Sequence, residues 1–487
     1  MTQHPVEQIE PTSLWQAFYR LTQIPRPSGH EEQVCSWLVS WAKEHGFEAK
    51  QDSVGNVYID VPATKGRESA PRIILQGHVD IVGEQENGRN HHFETDPLDV
   101  SVEGDKVTAR GTTLGADNGI GVAAALAAAS DETVTHGPMT LLFTIDEERG
   151  LKGAAGINPE WLDATYLLNL DSEDEAVIFV GCAGGADTVL GLPIEKEPAS
   201  SDASVAELSV SGLKGGHSGL EIHLGRGNAI KLLTRVLRKL AAEDVLALES
   251  ISGGTRRNAI PRDARARVQI PNAKKDRAEQ IRSEMEALFK EELATKDADV
   301  TVTLDWLDVE PGQVWTKDRL HRAIELLTAL PHGLLGMSTD LPGVVETSTN
   351  LATVEESGDS LKIGCSSRSS VGSILAEVQE SVAAIGRMAQ CSVTVEDGYP
   401  GWKPNMQSHL LEVAKTTMTE VFARPVEVTA IHAGLECGLL SERLPKVEMI
   451  SFGPDIEGAH TPQEAVSIPS TRRFWNAFKA LLAQLAQ

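Results

Sequence analysis

The sequence predicts an α/β protein whose sheet is interrupted by an inserted α+β domain. Three observations carry that reading. The apolar runs RIILQGHVDIV, MTLLFTIDEERG and ATYLLNLDSEDE lead into His78 and Asp80, Asp146–Glu148, and Asp171. Strands that are apolar on both faces belong to sheets covered on both sides. Residues 110–130, RGTTLGADNGIGVAAALAAAS, join a tight Gly-containing start to an Ala-rich run, the pattern of a buried, closely packed helix. The middle of the chain, about 187–397, changes to a β-α-β-β-α texture that occurs twice. That is the split βαβ pattern of ferredoxin-like sheets.

Taken in order, residues 12–46 read as an amphipathic helix, a break at PRPSGHEE, and a second helix with Val34, Trp37, Leu38 and Trp41 on one face. Ser28-Gly29-His30-Glu31 is expected to begin that helix, with acids in its first turn. VGNVYIDVP and RIILQGHVDIV are strands, the latter reaching Gly77-His78-Val79-Asp80. Leu114-Gly115-Ala116-Asp117-Asn118 leads into the Ala-rich helix, with Asp117 or Asn118 available as its cap. KVEMISFGPDIEGAHTP is a strand followed by a loop carrying His460. In an open α/β sheet, chemistry sits beyond the carboxyl ends of the strands. Polar residues fall at such ends four times here.

The insertion holds AELSVSGLKGGHSG, a helix near 227–243, ISGGTRRNAIPRDARARVQI and a charged helix near 275–293, with a second unit at roughly 345–395. The α/β pattern resumes after Tyr399. The expected domains are therefore 1–186 with 398–487, and the insertion 187–397, with hinges at GCAGGADT and EDGYPGW.

At 487 residues the chain exceeds one ordinary core. Its 44 Lys+Arg against 70 Asp+Glu give a charge of −26, which argues against nucleic acid or an anionic membrane as partner. The start, MTQHPVEQIEPTSLW, lacks the apolar centre of a signal peptide, and no apolar run approaches a bilayer span. Cys35, Cys182, Cys365, Cys391 and Cys437 are scattered without a CxxC pair. That argues against a disulfide framework or thiolate metal site, and for a reducing cytoplasm.

His78, Asp117, Glu148, Asp171 and His460 have the residue types to hold two divalent metals. Imidazole and carboxylate without thiolate suit Zn2+, Co2+ or Mn2+ at a hydrolytic site. Two such ions ~3.5–4 Å apart can share a carboxylate and a water. Asp80, two residues past His78, is placed to orient its imidazole, and Glu147 is the natural general base. His91-His92 is rejected as a chelate, because adjacent positions on an extended strand point to opposite faces.

QGHVDIV, GTTLGADNGIG, TIDEERG, NLDSED and GAHTP closely resemble the sequence marks of the M20 metallopeptidases. GCAGG, GLKGGHSG, GGTRRNAIPR, GYPGW and IHAGLECG extend the resemblance over nearly the whole chain. It implies a zinc-peptidase-like catalytic domain, a mixed sheet covered by helices, with an inserted α+β lid built from ferredoxin-like βαββαβ units. It implies two divalent ions per chain, Zn2+ first, with Co2+ or Mn2+ as alternatives. His78 and Asp171 would hold one ion, Glu148 and His460 the other, with Asp117 between them and a cis peptide after it. Asp80 would support His78, and Glu147 would act as base and then acid on a water bridging the ions. In the insertion, His217 would be the transition-state imidazole, while Asn258 and Arg368 would hold substrate. Glu436 of GLECG falls in a loop expected to face the cleft, a candidate substrate contact of open role.

The activity implied is hydrolysis of dipeptides with a free N-terminus, Xaa-His such as β-Ala-His among them. Two alternatives remain at this point: removal of an N-acyl group from an amino acid in the same fold, and a catalytically dead binding protein. Small dipeptides are the expected partners, with neither nucleic acid nor membrane. Either a monomer or a homodimer is compatible, because a doubled lid imitates within one chain the pair of lids that a dimer supplies. His217 is thus expected to serve the metals of its own chain. Mixing a His217→Ala chain with a Glu147→Gln chain, with subunit exchange verified, should leave activity absent; substantial recovery would show that the histidine crosses between chains.

Overall fold

The structure, a computed structural model, describes residues 3–200 and 202–487. Its residues form two compact units. The first takes the chain up to Cys182, Trp402–Ala430 and Leu435–Gln487; the second takes Ala183–Gly401 and Ile431–Gly434. The short return of Ile431–Gly434 to the second unit is not anticipated by the sequence boundaries.

The first unit is built on an eight-stranded sheet. Its strands are β1 (Glu48–Gln51), β2 (Val57–Val61), β3 (Ile73–His78), β4 (Met139–Thr144), β5 (Tyr166–Asn169), β6 (Val177–Cys182), β7 (Glu427–Ile431) and β8 (Glu448–Ser451). They lie in the order β1-β2-β4-β3-β5-β8-β6-β7. β4, β3, β5 and β8 are parallel neighbours. Antiparallel β2 flanks them on one side and antiparallel β6 on the other. Every residue of β3, β4 and β5 is buried, as their unbroken apolar runs require. His78 pairs in register with Thr144, and Gln76 with Asn169. The chain therefore leaves all three strands at one end of the sheet, which gathers residues 78–80, 145–148 and 171.

Helices α1 (Thr12–Thr22), α2 (Glu32–Glu44), α3 (Ala116–Ser130), α4 (His409–Phe422), α5 (Glu436–Arg443) and α6 (Ile468–Leu485) complete the unit, α1 lying against α3 and α4 against α6. The small residues of α3 let it approach the strand ends closely. A Cβ on Gly121 would stand 2.3 Å from the Leu170 carbonyl oxygen. The side chain of Asn118 donates to that same oxygen at 2.6 Å. The expected cap is not there, however. Gly115 precedes the helix in a left-handed conformation, and Asp117 and Asn118 have non-helical backbone angles with a cis peptide between them. Asp117 turns its carboxylate elsewhere, and a glutamate distant in sequence caps the helix instead. A separate four-stranded sheet joins Val100–Glu103 and Lys106–Ala109 to Ile456–Glu457 and Ala465–Ser467. It holds both ends of the loop that carries His460.

The second unit is built on a nine-stranded sheet, beside which Lys196–Glu197 pairs with Val314–Trp315. Ala203–Ser211, helix Ala229–Ala242, Ala247–Gly253, Ala264–Pro271, helix Lys275–Glu292 and Thr301–Leu307 form one βαββαβ unit, its strands paired in the spatial order fourth, first, third, second. The other unit starts with Gly184–Pro193, before the first unit, and resumes with helix Lys317–Ala329 after it. Val345–Ser357, Ser360–Ser369, helix Gly372–Met388 and Ser392–Val395 then finish it. A single antiparallel pairing, Gly253 with Val354, joins the two halves edge to edge. The sequence reading located both units but took neither Gly184–Pro193 nor Lys317–Ala329 as part of the second. Among the described residues, no helix is long and apolar enough to cross a membrane.

Gly121→Ala should test the close approach of α3. Its Cβ meets the Leu170 carbonyl at 2.3 Å and the Asn118 side-chain amide at 2.8 Å, so a loss of about 1–3 kcal/mol is expected in urea unfolding. An unchanged midpoint would show that the helix has slack.

Candidate metal centre

His78 ends β3, is 1% exposed, and directs its Nε2 between two carboxylates. Asp117 Oδ1 lies 3.0 Å away and Asp171 Oδ1 3.3 Å away. His460, at a left-handed position in its loop, repeats the arrangement from the other side. Its Nε2 lies 3.1 Å from Asp117 Oδ2 and 3.0 Å from Glu148 Oε1. The two oxygens of Asp117 thus face two different imidazoles. His78–Asp117–Asp171, Asp117–Glu148–His460 and His78–Glu147–Glu148 each bring ligand atoms within 4.8 Å of one another.

These residues fit divalent cations by two tests. Glu148 Oε1 is buried and forms no hydrogen bond, although His460 Nε2 is 3.0 Å away. Such an approach without hydrogen-bond alignment suits two ligands aimed at a common centre. The donor set, imidazole nitrogen and carboxylate oxygen, is that of hydrolytic zinc, cobalt and manganese sites.

The electrostatics agree. Burial pushes Asp171 up to about 8, Asp117 and Glu436 adding to it and His78 opposing. Burial likewise lifts Glu147 well above the usual carboxylate range, against His78 and with help from Asp171, Glu436 and Glu148. The close carboxylates of Asp117 and Glu148 raise His460 to about 11. His78 is raised well above the ordinary imidazole value: burial works against its charge, but Asp171 and Asp117 outweigh it. Buried negative charge crowded in this way is what divalent cations offset.

The turn after β4 is held by backbone amides. Asp146 N donates to Glu31 Oε1 at 3.1 Å, Glu147 N to Asp80 Oδ1 at 3.0 Å, and Glu148 N to Asp80 Oδ2 at 3.2 Å. Ser28 Oγ donates to Asp80 Oδ2 at 2.7 Å. Asp80 stands 3.4 Å from His78 Nδ1, so its shorter bonds are to the glutamate turn. Burial alone would raise Asp80, but His78, Ser28 and the Glu147 amide bring it down to about 2. Asp146, at a left-handed position, receives Arg149 Nε at 2.7 Å and Lys152 Nζ at 2.6 Å. Helix α2 begins where the Ser28-Gly29-His30-Glu31 entry places it, with Glu32 in its first turn, and the carboxylate of Glu31 bridges the amides of Gly29 and Asp146.

Glu436 differs from its sequence placement. It begins α5 and is completely buried, rather than facing a cleft from a loop. Its Oε2 accepts from Gln76 Nε2 at 2.6 Å and Thr144 Oγ1 at 2.7 Å. Burial raises it to about 7. Because α5 packs against the sheet, a residue read as polar loop is drawn beneath the strand ends.

Within the second unit, His217 Nδ1 accepts from the amides of Gly219 and Leu220 at 3.2 and 3.0 Å. Burial, with Arg368 nearby, lowers its pKa, so the ring is neutral with its proton on Nε2. Arg368 is 8% exposed; its Nη1 donates to Tyr399 Oη at 2.9 Å, while its buried Nε has no hydrogen bond. Asn258 is exposed, and its carbonyl accepts from Ser218 N at 2.8 Å. His432, which the sequence reading passed over, shares a 2.7 Å hydrogen bond with Ser348 Oγ, and burial takes its pKa down to about 3. Arg26, Glu31 and Glu464 were missed as well; only the nearness of Glu464 to His460 could have flagged any of them.

A mixed sheet with parallel central strands, and with two imidazoles and three carboxylates gathered beyond the strand ends, belongs to the metal-dependent hydrolases. The profile of peptidase family M20/M25/M40 matches residues 74–484, and the chain belongs to that family. It is 40% identical over 480 residues to the cytosol non-specific dipeptidase of Escherichia coli (strain K12), covering 99% of each chain. It is similar to the crystal structure of aminoacylhistidine dipeptidase from Vibrio alginolyticus, with a TM-score of 0.92, 38% identity, and coverage of 99% of this chain and 98% of that one. Aminopeptidase PepT from Bacillus cereus shares the fold at a TM-score of 0.57 and 17% identity, over 98% of this chain and 100% of that one. The family and fold class expected from the motifs are borne out.

Metal removal should be visible in stability. Chelator-treated protein, verified metal-free, should melt at lower temperature. Zinc at about 1,000 times its Kd should restore about 4 kcal/mol. Coincident melting curves would count against a shared site.

Proposed function

We propose that the chain is a metal-dependent dipeptidase that hydrolyses dipeptides with a free N-terminus, Xaa-His substrates such as β-Ala-His among them. The observation that carries the reading is Asp117, one oxygen toward His78 and the other toward His460. The names of the two relatives, a non-specific dipeptidase and an aminoacylhistidine dipeptidase, supply the substrate class.

His78 and Asp171 would hold one divalent ion, Glu148 and His460 a second, with Asp117 shared. Two bound ions, Zn2+ first and Co2+ or Mn2+ as alternatives, would polarise the scissile carbonyl and acidify a water. Glu147 takes the proton of the attacking water and returns it to the leaving amine. A buried carboxylate with a raised proton affinity suits that double role. His217 offers an Nε2–H to developing oxyanion charge, since its Nδ1 is already an acceptor. The fork of Arg368 suits a substrate carboxylate, and Asn258 is assigned to substrate as well. The relative named for the cytosol and the scattered thiols support a cytoplasmic setting.

Release of free amino acid should be seen with β-Ala-His and Gly-His and not with N-acetyl-histidine; the reverse order of rates would replace the dipeptidase reading with deacylation. Glu147→Gln should lower kcat by about 100-fold or more, with both ions still bound by elemental analysis. Glu148→Gln should instead lose one ion. Near-normal turnover in Glu147→Gln would remove it as the base.

A further inference from the structure

We infer that Glu464 is a positioning residue that sets Asp117 between the two imidazoles, and that both metal positions therefore depend on it. The inference rests on the dinuclear reading above. Glu464 is 2% exposed, and its carboxylate is filled by four consecutive backbone amides. Oε2 accepts from Leu114 N at 2.7 Å and Gly115 N at 2.9 Å. Oε1 accepts from Ala116 N at 2.7 Å and Asp117 N at 3.2 Å. A carboxylate has about four acceptor positions, and here a single turn of backbone uses all of them. The amides are the unpaired donors at the start of α3, where an anion is also favoured by the helix dipole.

The opposite side of the turn is held by a cation. Arg26, itself 1% exposed, donates from Nη2 to Gly115 O at 2.7 Å and from Nη1 to Val79 O at 2.7 Å. The left-handed Gly115 has no room for a side chain, since a Cβ would lie 2.9 Å from Arg26 Nη2. With its N–H groups on an anion and a carbonyl on a cation, the turn has little freedom to move. The last of the four amides is that of Asp117 itself.

Glu464 also comes from the loop that carries His460. Its own amide donates to Thr461 O at 3.1 Å, and Thr461 N to Gly458 O at 3.1 Å. One side chain thus ties the His460 loop to the residue shared by both ions. Of the two imidazoles, Asp171 stands 3.3 Å from His78, and Glu148 stands 3.0 Å from His460. Loss of the Glu464 contact should therefore weaken both ions, whereas loss of Asp171 should weaken one.

The test uses the full chain and the Glu464→Gln variant, whose amide nitrogen cannot accept two of the four N–H groups. Hydrogen exchange in the metal-free proteins should show protection lost at residues 114–117 and kept in β3 and β5. Calorimetric titration with Zn2+ should show both ions bound about 10- to 100-fold more weakly, the range for loss of a group that orients metal ligands. Asp171→Asn should weaken only one. Should Glu464→Gln fail to fold, Glu464→Asp keeps the charge one carbon shorter and should give a smaller loss at both positions. Wild-type affinity at both positions in either variant would overturn the inference, as would exchange that rises throughout the first unit. A wild-type chain that takes up fewer than two ions would instead defeat the dinuclear reading, and the inference with it.

Discussion

The turns that carry Asp117, Glu147 and Glu148 leave their strands and helix with unpaired N–H groups, and buried carboxylates take up those groups several at a time. Asp80 accepts the amides of Glu147 and Glu148, Glu31 that of Asp146, and Glu464 the four leading to Asp117. Hydrogen bonds to an ionised acceptor are roughly twice as strong as neutral ones, and a buried amide without a partner is costly. The backbone at the strand ends is therefore tightly defined, and side chains standing on it converge without being packed against one another.

This solution concentrates negative charge. Asp80, Asp117, Glu147, Glu148, Asp171, Glu436 and Glu464 occupy one end of the first unit's sheet. Arg26 offsets part of it from within, and Arg149 with Lys152 offsets Asp146 at the surface. The remainder is the electrostatic condition under which divalent ions bind well. The network Asn169–Gln76–Glu436–Thr144 extends the same economy beneath the strand ends, where each group spends its hydrogen bonds on another buried side chain.

The second unit solves a different problem. Two βαββαβ patterns meet at strand edges, so that Ala247–Gly253 and Val345–Ser357 pair instead of standing exposed. Edge strands invite association, and joining the units covers two of them. His217, Arg368 and His432 all lie in this unit, and burial within it lowers the pKa of both histidines. Two amides set the tautomer of His217, and a serine hydroxyl engages His432.

The chain's local patterns determined the α/β class, the buried strands and the residues at their ends. Unbroken apolar runs and the Ala-rich segment after Asp117 have one stable use each, burial in a covered sheet and in a close-packed helix. Residue types at the strand ends, together with the family resemblance of the motifs, made His78, Asp117, Glu148, Asp171 and His460 candidate ligands, and their side chains fall into overlapping groups with ligand atoms within 4.8 Å. Tertiary structure alone decided that Glu464 would cap α3 from 350 residues away and that Glu31 would hold the Glu147–Glu148 turn. It alone decided that Glu436 would be buried and that Gly184–Pro193 would complete the later unit. A glutamate in sequence looks the same whether water or four amides surround it. A strand's partner depends on pairing between segments far apart, for which no local periodicity exists.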